Sequence, residues 1–367
     1  MPEPTTDRST PPAGTGVPAN RSSNPSARRL DEVSRTLDAL VHDRGFPGAL
    51  ASIRDADGSV RNVAAGDGVP LDGQVRIGSN TKSFTAVALL QLVGEGTLDL
   101  DVPVGKYLPN LLCGKGIDGT RILVRHVLQQ TSGLPDYMAA WAGDPASFRY
   151  RYADPRDLLD VALTMPALFE PGDRWSYSNT NYVVAGLLLQ TITGRPWSEQ
   201  VHRRVIAPLG LQRTYVPAAG ELGLRGAHPQ GFLRDGAGNL QDHTEFDPSI
   251  AWAAGAVIAS LSDLNRFATG LLRGELLSPA LLAEMQNTVP SDGFPGTGYG
   301  LGLARFPQAD GSVAWGHGGD IFGAETRGWA TADGRAATVA VTALPSDAAG
   351  LEAVMAAATT SFEAARS

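Results

Sequence analysis

Short strand-like runs gather at the two ends of this 367-residue chain, and helical runs fill its middle. Near the start, GALASIRDADGSVRNVAAG reads as two strands around an Asp57-Gly58 turn. After residue 295 come GYGLGLARFP, GSVAWGHGG, AETRGWATADG and AATVAVTALP, each bounded by turn residues. SNTKSFTAVALLQLVGEG has the spacing of an amphipathic helix that ends at Gly94 or Gly96. Between about 100 and 245 lie further helical runs, among them ILVRHVLQQTSG and NYVVAGLLLQTITG, separated by Gly/Pro-rich loops. Helices also flank the strand groups: Leu30, Val33, Leu37, Leu40 and Val41 recur at helical spacing before Gly45, and an Ala-rich helix spans 346–365. Such an order constrains the fold strongly. The expected class is α/β (α+β): one antiparallel sheet formed by both chain ends and flanked by helices, with a mostly helical part inserted at about 100–245. The cleft between the two parts is the natural place for a substrate. No internal repeat is visible.

The first 28 residues are rich in Pro, Ser, Thr and Gly and read as a disordered leader before one domain over 29–367. They contain no apolar run of the kind a secretory signal needs, and no stretch reaches the ~18 apolar residues of a membrane span. As it stands the sequence leads us to expect a cytoplasmic protein, or an extracellular one if the start is misassigned. A net charge of -8 with no basic run argues against nucleic acid as a partner. The one cysteine, Cys113, rules out an intrachain disulfide or a cysteine-built metal cluster.

Only three lysines occur, and arginine fills nearly every other cationic position. Lys106 and Lys115 sit in polar, loop-like surroundings, whereas Lys82 stands three residues after Ser79 at a helix start. Arginine cannot release its proton near neutral pH, but a lysine with a depressed pKa can. Residues at i and i+3 share a helix face, and the helix N-terminus favours an oxyanion beside the serine. Alone, Ser-x-x-Lys is equally well an exposed N-cap serine followed by a surface lysine.

Two more stretches carry the same ambiguity. Tyr177-Ser178-Asn179 precedes an apolar helix, where Ser and Asn also serve as ordinary caps. In WGHGGDIFG, His317 is followed by Gly318 and Gly319, whose missing side chains leave a slot beside a sheet edge. The three together, in this order, resemble the penicillin-recognising serine hydrolases, in the branch of class C β-lactamases, D-Ala-D-Ala carboxypeptidases, D-aminopeptidases and related esterases. That branch carries Ser-x-x-Lys, Tyr-x-Asn and Lys/His-x-Gly, which fall here on Ser79–Lys82, Tyr177–Asn179 and His317–Gly319. LLQLVGEGTLDLDVPVGKYLP, VRHVLQQTSGLPDY, FEPGDRWSYSNTNYVVAGLL and WAAGAVIASLSDLNRF are also similar to it. The resemblance runs from about residue 30 to the end and is nearest to a secreted bacterial DD-carboxypeptidase.

The resemblance implies that Ser79 attacks a carbonyl and forms an acyl-enzyme, with Lys82 and Tyr177 moving its proton; which of the two is the base stays open. Asn179 would hold the acyl-side carbonyl, and the backbone N–H groups of Ser79 and Asp320 would form the oxyanion hole. His317 would supply polarity or positive charge beside the leaving group, and Gly318, Gly319 and Trp252 would contact substrate. No metal or organic cofactor is implied, and His42, His126, His202, His228 and His243 lack ligand spacing. The expected partner is a small-molecule or peptide substrate, β-lactams included, with neither nucleic acid nor membrane involved and the oligomeric state open. The expected activity is acyl-enzyme hydrolysis of amides or esters in the manner of a DD-carboxypeptidase. Its alternatives are an esterase or D-amino-acid amidase of the same fold, or a penicillin-binding sensor without turnover.

One part of the pattern departs from the carboxypeptidases. There a threonine follows the motif histidine, another follows the motif glycine, and an arginine on the preceding strand helps to hold a terminal carboxylate. This chain has Gly318, Asp320 and Ala304 at those places, with Arg305 one residue along on the opposite strand face. An aspartate there repels a carboxylate. Arg327, on the next strand-like run, is the one candidate substitute.

Overall fold

The computed structural model describes residues 1, 25–140, 145–292, 297–308 and 311–366. Helix α1 (Pro25–His42) buries Val33, Leu37 and Leu40 and leads through Gly45, at φ +68°, to the hairpin of β1 (Ala49–Arg54) and β2 (Val60–Ala65). The helix takes Pro25–Arg28 out of the expected leader, and residues 2–24 of that leader lie outside the described residues. The Asp57-Gly58 turn forms as expected, with Gly58 at φ +93° and its N–H bonded to the Asp55 carbonyl.

Helices α2 (Thr81–Gly94), α3 (Asn179–Thr193) and α4 (Leu261–Leu272) form the middle of the molecule. The expected amphipathic character of α2 is a misreading. Every residue from Thr81 to Leu90 is buried, because α3 and other helices pack around it and Phe84 stacks on Phe267 of α4. A helix covered all round has no polar face to show. Lys82 therefore sits in the interior, while Lys106 and Lys115 are exposed.

The C-terminal strands are β3 (Val289–Pro290), β4 (Gly298–Tyr299), β5 (Ala304–Pro307), β6 (Val313–Gly316), β7 (Gly319–Ile321), β8 (Ala324–Ala330) and β9 (Ala336–Val341), followed by α5 (Ala348–Glu363). They join the N-terminal hairpin in one antiparallel sheet of order β2-β1-β9-β8-β6-β5-β4-β3, and β7 pairs with β8 beside β6. The central pairing, Ala49 with Val341 through Arg54 with Ala336, joins the two ends of the chain as the strand order predicted. Helices α1 and α5 cover one face, and α4 packs on β1, β8 and β9. A larger apolar core lies under α2, α3 and the inserted helices.

Candidate active site

Ser79 belongs to a single 3-10 turn, Gly78–Asn80, that runs directly into α2. Gly78 takes φ +49°, and a Cβ on it would lie 3.0 Å from the backbone N and O of Asp320. The turn is thus pressed against β7. Asn80 Nδ2 ties it further, donating to the Ile77 carbonyl at 3.0 Å and to Thr326 Oγ1 on β8 at 2.8 Å. Gly319 does not line the substrate cavity as expected. It lets β7 approach the turn, since a Cβ there would meet the Ile77 carbonyl, Thr326 Oγ1 at 2.5 Å and Asn80 Nδ2 at 2.7 Å.

Lys82 is wholly buried, one turn along from Ser79. Its Nζ donates to Asn179 Oδ1 and to the Ala254 carbonyl, each at 2.8 Å, and lies 2.8 Å from Ser79 Oγ. Burial lowers its pKa to about 7, against the pull of Asp136 and Asp320 toward the charged form. Tyr177 Oη donates to the same serine oxygen at 2.7 Å, and burial raises its pKa well above the usual value, so the phenol keeps its proton. The Lys82 amine also stands 4.9 Å from the centre of the Tyr177 ring.

Asn179 is the first residue of α3, with Ser178 as an extended N-cap whose side chain makes no capping bond. The N-terminus of α3 is instead clamped by the segment 130–137. Gln130 Oε1 accepts from Ser178 N and Asn181 Nδ2, and Thr180 Oγ1 accepts from Tyr137 N. Asp136 completes the clamp. Its Oδ2 accepts from Asn179 N at 3.1 Å and from Asn179 Nδ2 at 2.9 Å, which fixes the amide so that Oδ1 faces Lys82. Sequence reading quoted Asp136 within VRHVLQQTSGLPDY but gave it no role.

Further expected roles need correction. His317, between β6 and β7, is buried with both ring nitrogens engaged, Nε2 with Tyr299 Oη at 2.9 Å and Nδ1 with the Gly318 carbonyl at 2.6 Å. Burial, with the Lys82 and Arg327 charges adding to it, lowers its pKa to about 3, so it is a neutral ring and carries no positive charge near pH 7. Its partners fix the tautomer: Nδ1–H donates to the carbonyl and Nε2 accepts from Tyr299. Trp252 does not line the cavity that holds Ser79. Its ring lies tilted against Trp197, with 5.7 Å between centroids, and packs on Gly186 behind the short helix Trp252–Gly255. That helix supplies the Ala254 carbonyl to Lys82 and so positions the amine from the backbone.

Asp320 lies in the middle of β7. A two-residue turn, Phe322-Gly323, makes Ile321/Ala324 the hydrogen-bonded pair of the hairpin with β8, so Asp320/Glu325 is a non-bonded pair. The N–H of Asp320 accordingly points off β8 toward the turn of Ser79. Its carboxylate reaches Arg327 Nη2 on β8 at 2.7 Å, and Glu325 Oε1 lies 3.0 Å from the same nitrogen. Burial raises the Glu325 pKa to about 7, against the Arg327 charge. The slot expected at Gly318 is filled, because a Cβ there would lie 2.8 Å from Arg327 Nη1. Ala304 pairs with Gly316 and Arg305 with Trp315, and neither lines the cavity of Ser79.

Ser79, Asn179 and Asp320 open on a cavity of about 180 Å³ whose remaining wall is mainly apolar, with Met138, Ile250 and Phe322 prominent. A serine–amine–phenol cluster with its amine buried, beside an apolar pocket, can form and break an acyl ester. Among the described residues no group of His, Cys, Asp and Glu could hold a metal ion, and no helix is long and apolar enough to cross a membrane.

The model of the Beta-lactamase family matches residues 33–360. The chain belongs to the Beta-lactamase family. Within this Beta-lactamase group it is similar to the D-stereospecific amidohydrolase of a Streptomyces species, with 37% identity, TM-score 0.83 and coverage of 89% of this chain and 98% of that one. It is also similar to the D-amino acid amidase of Ochrobactrum anthropi SV3, solved with L-phenylalanine amide, at 27% identity, TM-score 0.80 and coverage of 92% and 98%. The esterase EstB of Burkholderia gladioli is 28% identical over 346 residues, covering 79% of this chain and 84% of EstB. Two penicillin-binding proteins also match, and the chain spans only 30% of the length of one and 77% of the other.

Proposed function

We propose that this Beta-lactamase family member is a serine hydrolase that cleaves amides or esters of D-amino acids with apolar side chains through an acyl-enzyme on Ser79. The observation that carries the reading is the valence of Lys82. A neutral amine has two protons and one lone pair; Asn179 Oδ1 and the Ala254 carbonyl take the two protons, which leaves the lone pair for Ser79 Oγ–H at 2.8 Å. Lys82 then takes the serine proton as Oγ attacks the carbonyl carbon, and the amide and ester C–N or C–O bond breaks as the tetrahedral intermediate collapses. Tyr177, which keeps its proton, stabilises the serine oxygen and stands where it can hand that proton to the departing nitrogen or oxygen. The N–H groups of Ser79 and Asp320 are the natural oxyanion donors. Once the leaving group has gone, the Lys82 ammonium returns its proton to Tyr177, which restores the neutral amine, and water then attacks the acyl-enzyme with Lys82 again as base.

The apolar wall supports an apolar acyl group, and the likeness to a D-stereospecific amidohydrolase and a D-amino acid amidase supports D-stereochemistry. EstB supports esters as a second substrate class. The carboxypeptidase reading is less well supported, because an aspartate stands where a terminal carboxylate would approach. The test is labelling with a fluorophosphonate, then parallel kcat/KM values for D- and L-phenylalanine amide, a p-nitrophenyl ester and a D-Ala-D-Ala peptide. The expected result is one adduct on Ser79, none on Ser79→Ala, and a preference for the D-amide or the ester. A label that persists on Ser79→Ala overturns the nucleophile, and a best rate on the free D-Ala-D-Ala peptide overturns the substrate class.

A further inference from the structure

Arg327 is a guanidinium that sits behind Asp320, whose carboxylate pairs with it and lines the cavity of Ser79. The side chain of Arg327 is 11% exposed and that of Asp320 60%, while Glu325 is buried at 2%. Nη1 is spent on the Thr326 carbonyl at 2.9 Å, and Nη2 is shared by Asp320 and Glu325. Nε is buried with no hydrogen-bond partner among the described residues. The guanidinium packs against Gly318, next to His317, whose ring centre is 6.3 Å from that of Tyr177. A leaving group that takes its proton from Tyr177 must depart on this side. A terminal carboxylate on that leaving group would face Arg327, with the Asp320 carboxylate already between them.

We propose that Asp320 is a built-in stand-in for a substrate carboxylate: it occupies Arg327, rejects leaving groups that end in a free carboxylate, and so restricts the enzyme to neutral amides and esters. This rests on the acyl-enzyme reading above. The physical basis is that the Asp320 carboxylate repels a second carboxylate, whereas the Arg327 guanidinium attracts one. Removal of Asp320 therefore turns an excluding site into a binding one.

The experiment compares D-Phe-D-Ala with D-Phe-D-Ala amide, two substrates that differ only at the far end of the leaving group, in the full-length protein and in Asp320→Ala and Asp320→Asn. The measured quantity is the ratio of kcat/KM for free acid over amide, so a general loss of rate in a variant cancels. The expected result is a rise of about tenfold in that ratio for Asp320→Ala, from loss of repulsion and gain of an Arg-carboxylate contact. A triple variant, D320A/E325Q/R327Q, removes the guanidinium without leaving a lone buried carboxylate, and should return the ratio to its starting value. A ratio that stays within about twofold in both single variants overturns the proposal. So does a gain that survives loss of Arg327. Failure of the acyl-enzyme reading looks different: neither substrate nor a p-nitrophenyl ester would be turned over by the unmodified protein, and Ser79 would take no fluorophosphonate.

Discussion

One oxygen of Asp136 accepts two hydrogen bonds from Asn179, one from its backbone at 3.1 Å and one from its side-chain amide at 2.9 Å. That arrangement leaves Asn179 Oδ1 no orientation except toward Lys82 Nζ. Asp136 is a positioning residue in this sense, and its negative charge holds the Lys82 pKa up more than that of Asp320 does.

Two separable effects follow for Asp136 variants. Asp136→Ala frees the amide to flip and should lower kcat/KM about tenfold, while Asp136→Asn, which keeps an acceptor oxygen, should recover part of it. Both remove a negative charge, so both should lower the Lys82 pKa and move the acid limb of the pH–rate profile to lower pH. A profile of kcat/KM against pH for the three proteins checks this. An unmoved limb would mean that Asp136 acts on the loop alone.

Lys82 sets the second expectation. In the proposed mechanism it works as a neutral amine, and the neutral fraction grows as pH rises through about 7, so acylation should increase across that range and level off above it. Tyr177 should add no alkaline fall in the neutral range, since its pKa is raised. Lys82→Arg keeps the charge but cannot yield the proton, and acylation should drop at least about 10²-fold with the folded state intact by circular dichroism. Near-normal acylation would reduce Lys82 to a fixed charge.

Gly319 sets the third. Its Cβ position overlaps the Ile77 carbonyl, Thr326 Oγ1 and Asn80 Nδ2, two of them backbone or tightly bonded groups that have little room to yield. Gly319→Ala should therefore destabilise the protein by about 1–3 kcal/mol in urea unfolding. Because the overlap pushes β7 away from the turn of Ser79, kcat should fall by more than about 10-fold in the fraction that remains folded. A variant that melts early yet turns over normally would show that the spacing between β7 and that turn is not critical.

The amino-acid sequence was most informative where one residue type had to be where it was. Ser79, Lys82, Tyr177 and Asn179 do converge, and the pairing of the two chain ends follows from strand-like runs that have no other partners. What stayed hidden are relations between side chains remote in sequence. Asp136 meets Asn179, and Arg327 meets Asp320 across a hairpin, and neither contact leaves a periodic trace. His317 was misjudged for a related reason, since its charge depends on burial and on Tyr299. The family resemblance put Trp252 at the substrate, yet its ring turns toward Trp197, and only the backbone of its helix faces the Lys82 amine.

The sheet that carries Asp320 closes only when β1 meets β9, a strand that lies far along the sequence from it. Until then Ser79 and Lys82 exist on the growing chain with no β7 against them, and the serine has no second N–H with which to share an oxyanion. Contacts this distant in sequence form late. A ribosome-bound fragment that ends before β7 would thus be chemically silent, and a protease that nicks off the last strands would extinguish the enzyme without touching a single reacting side chain.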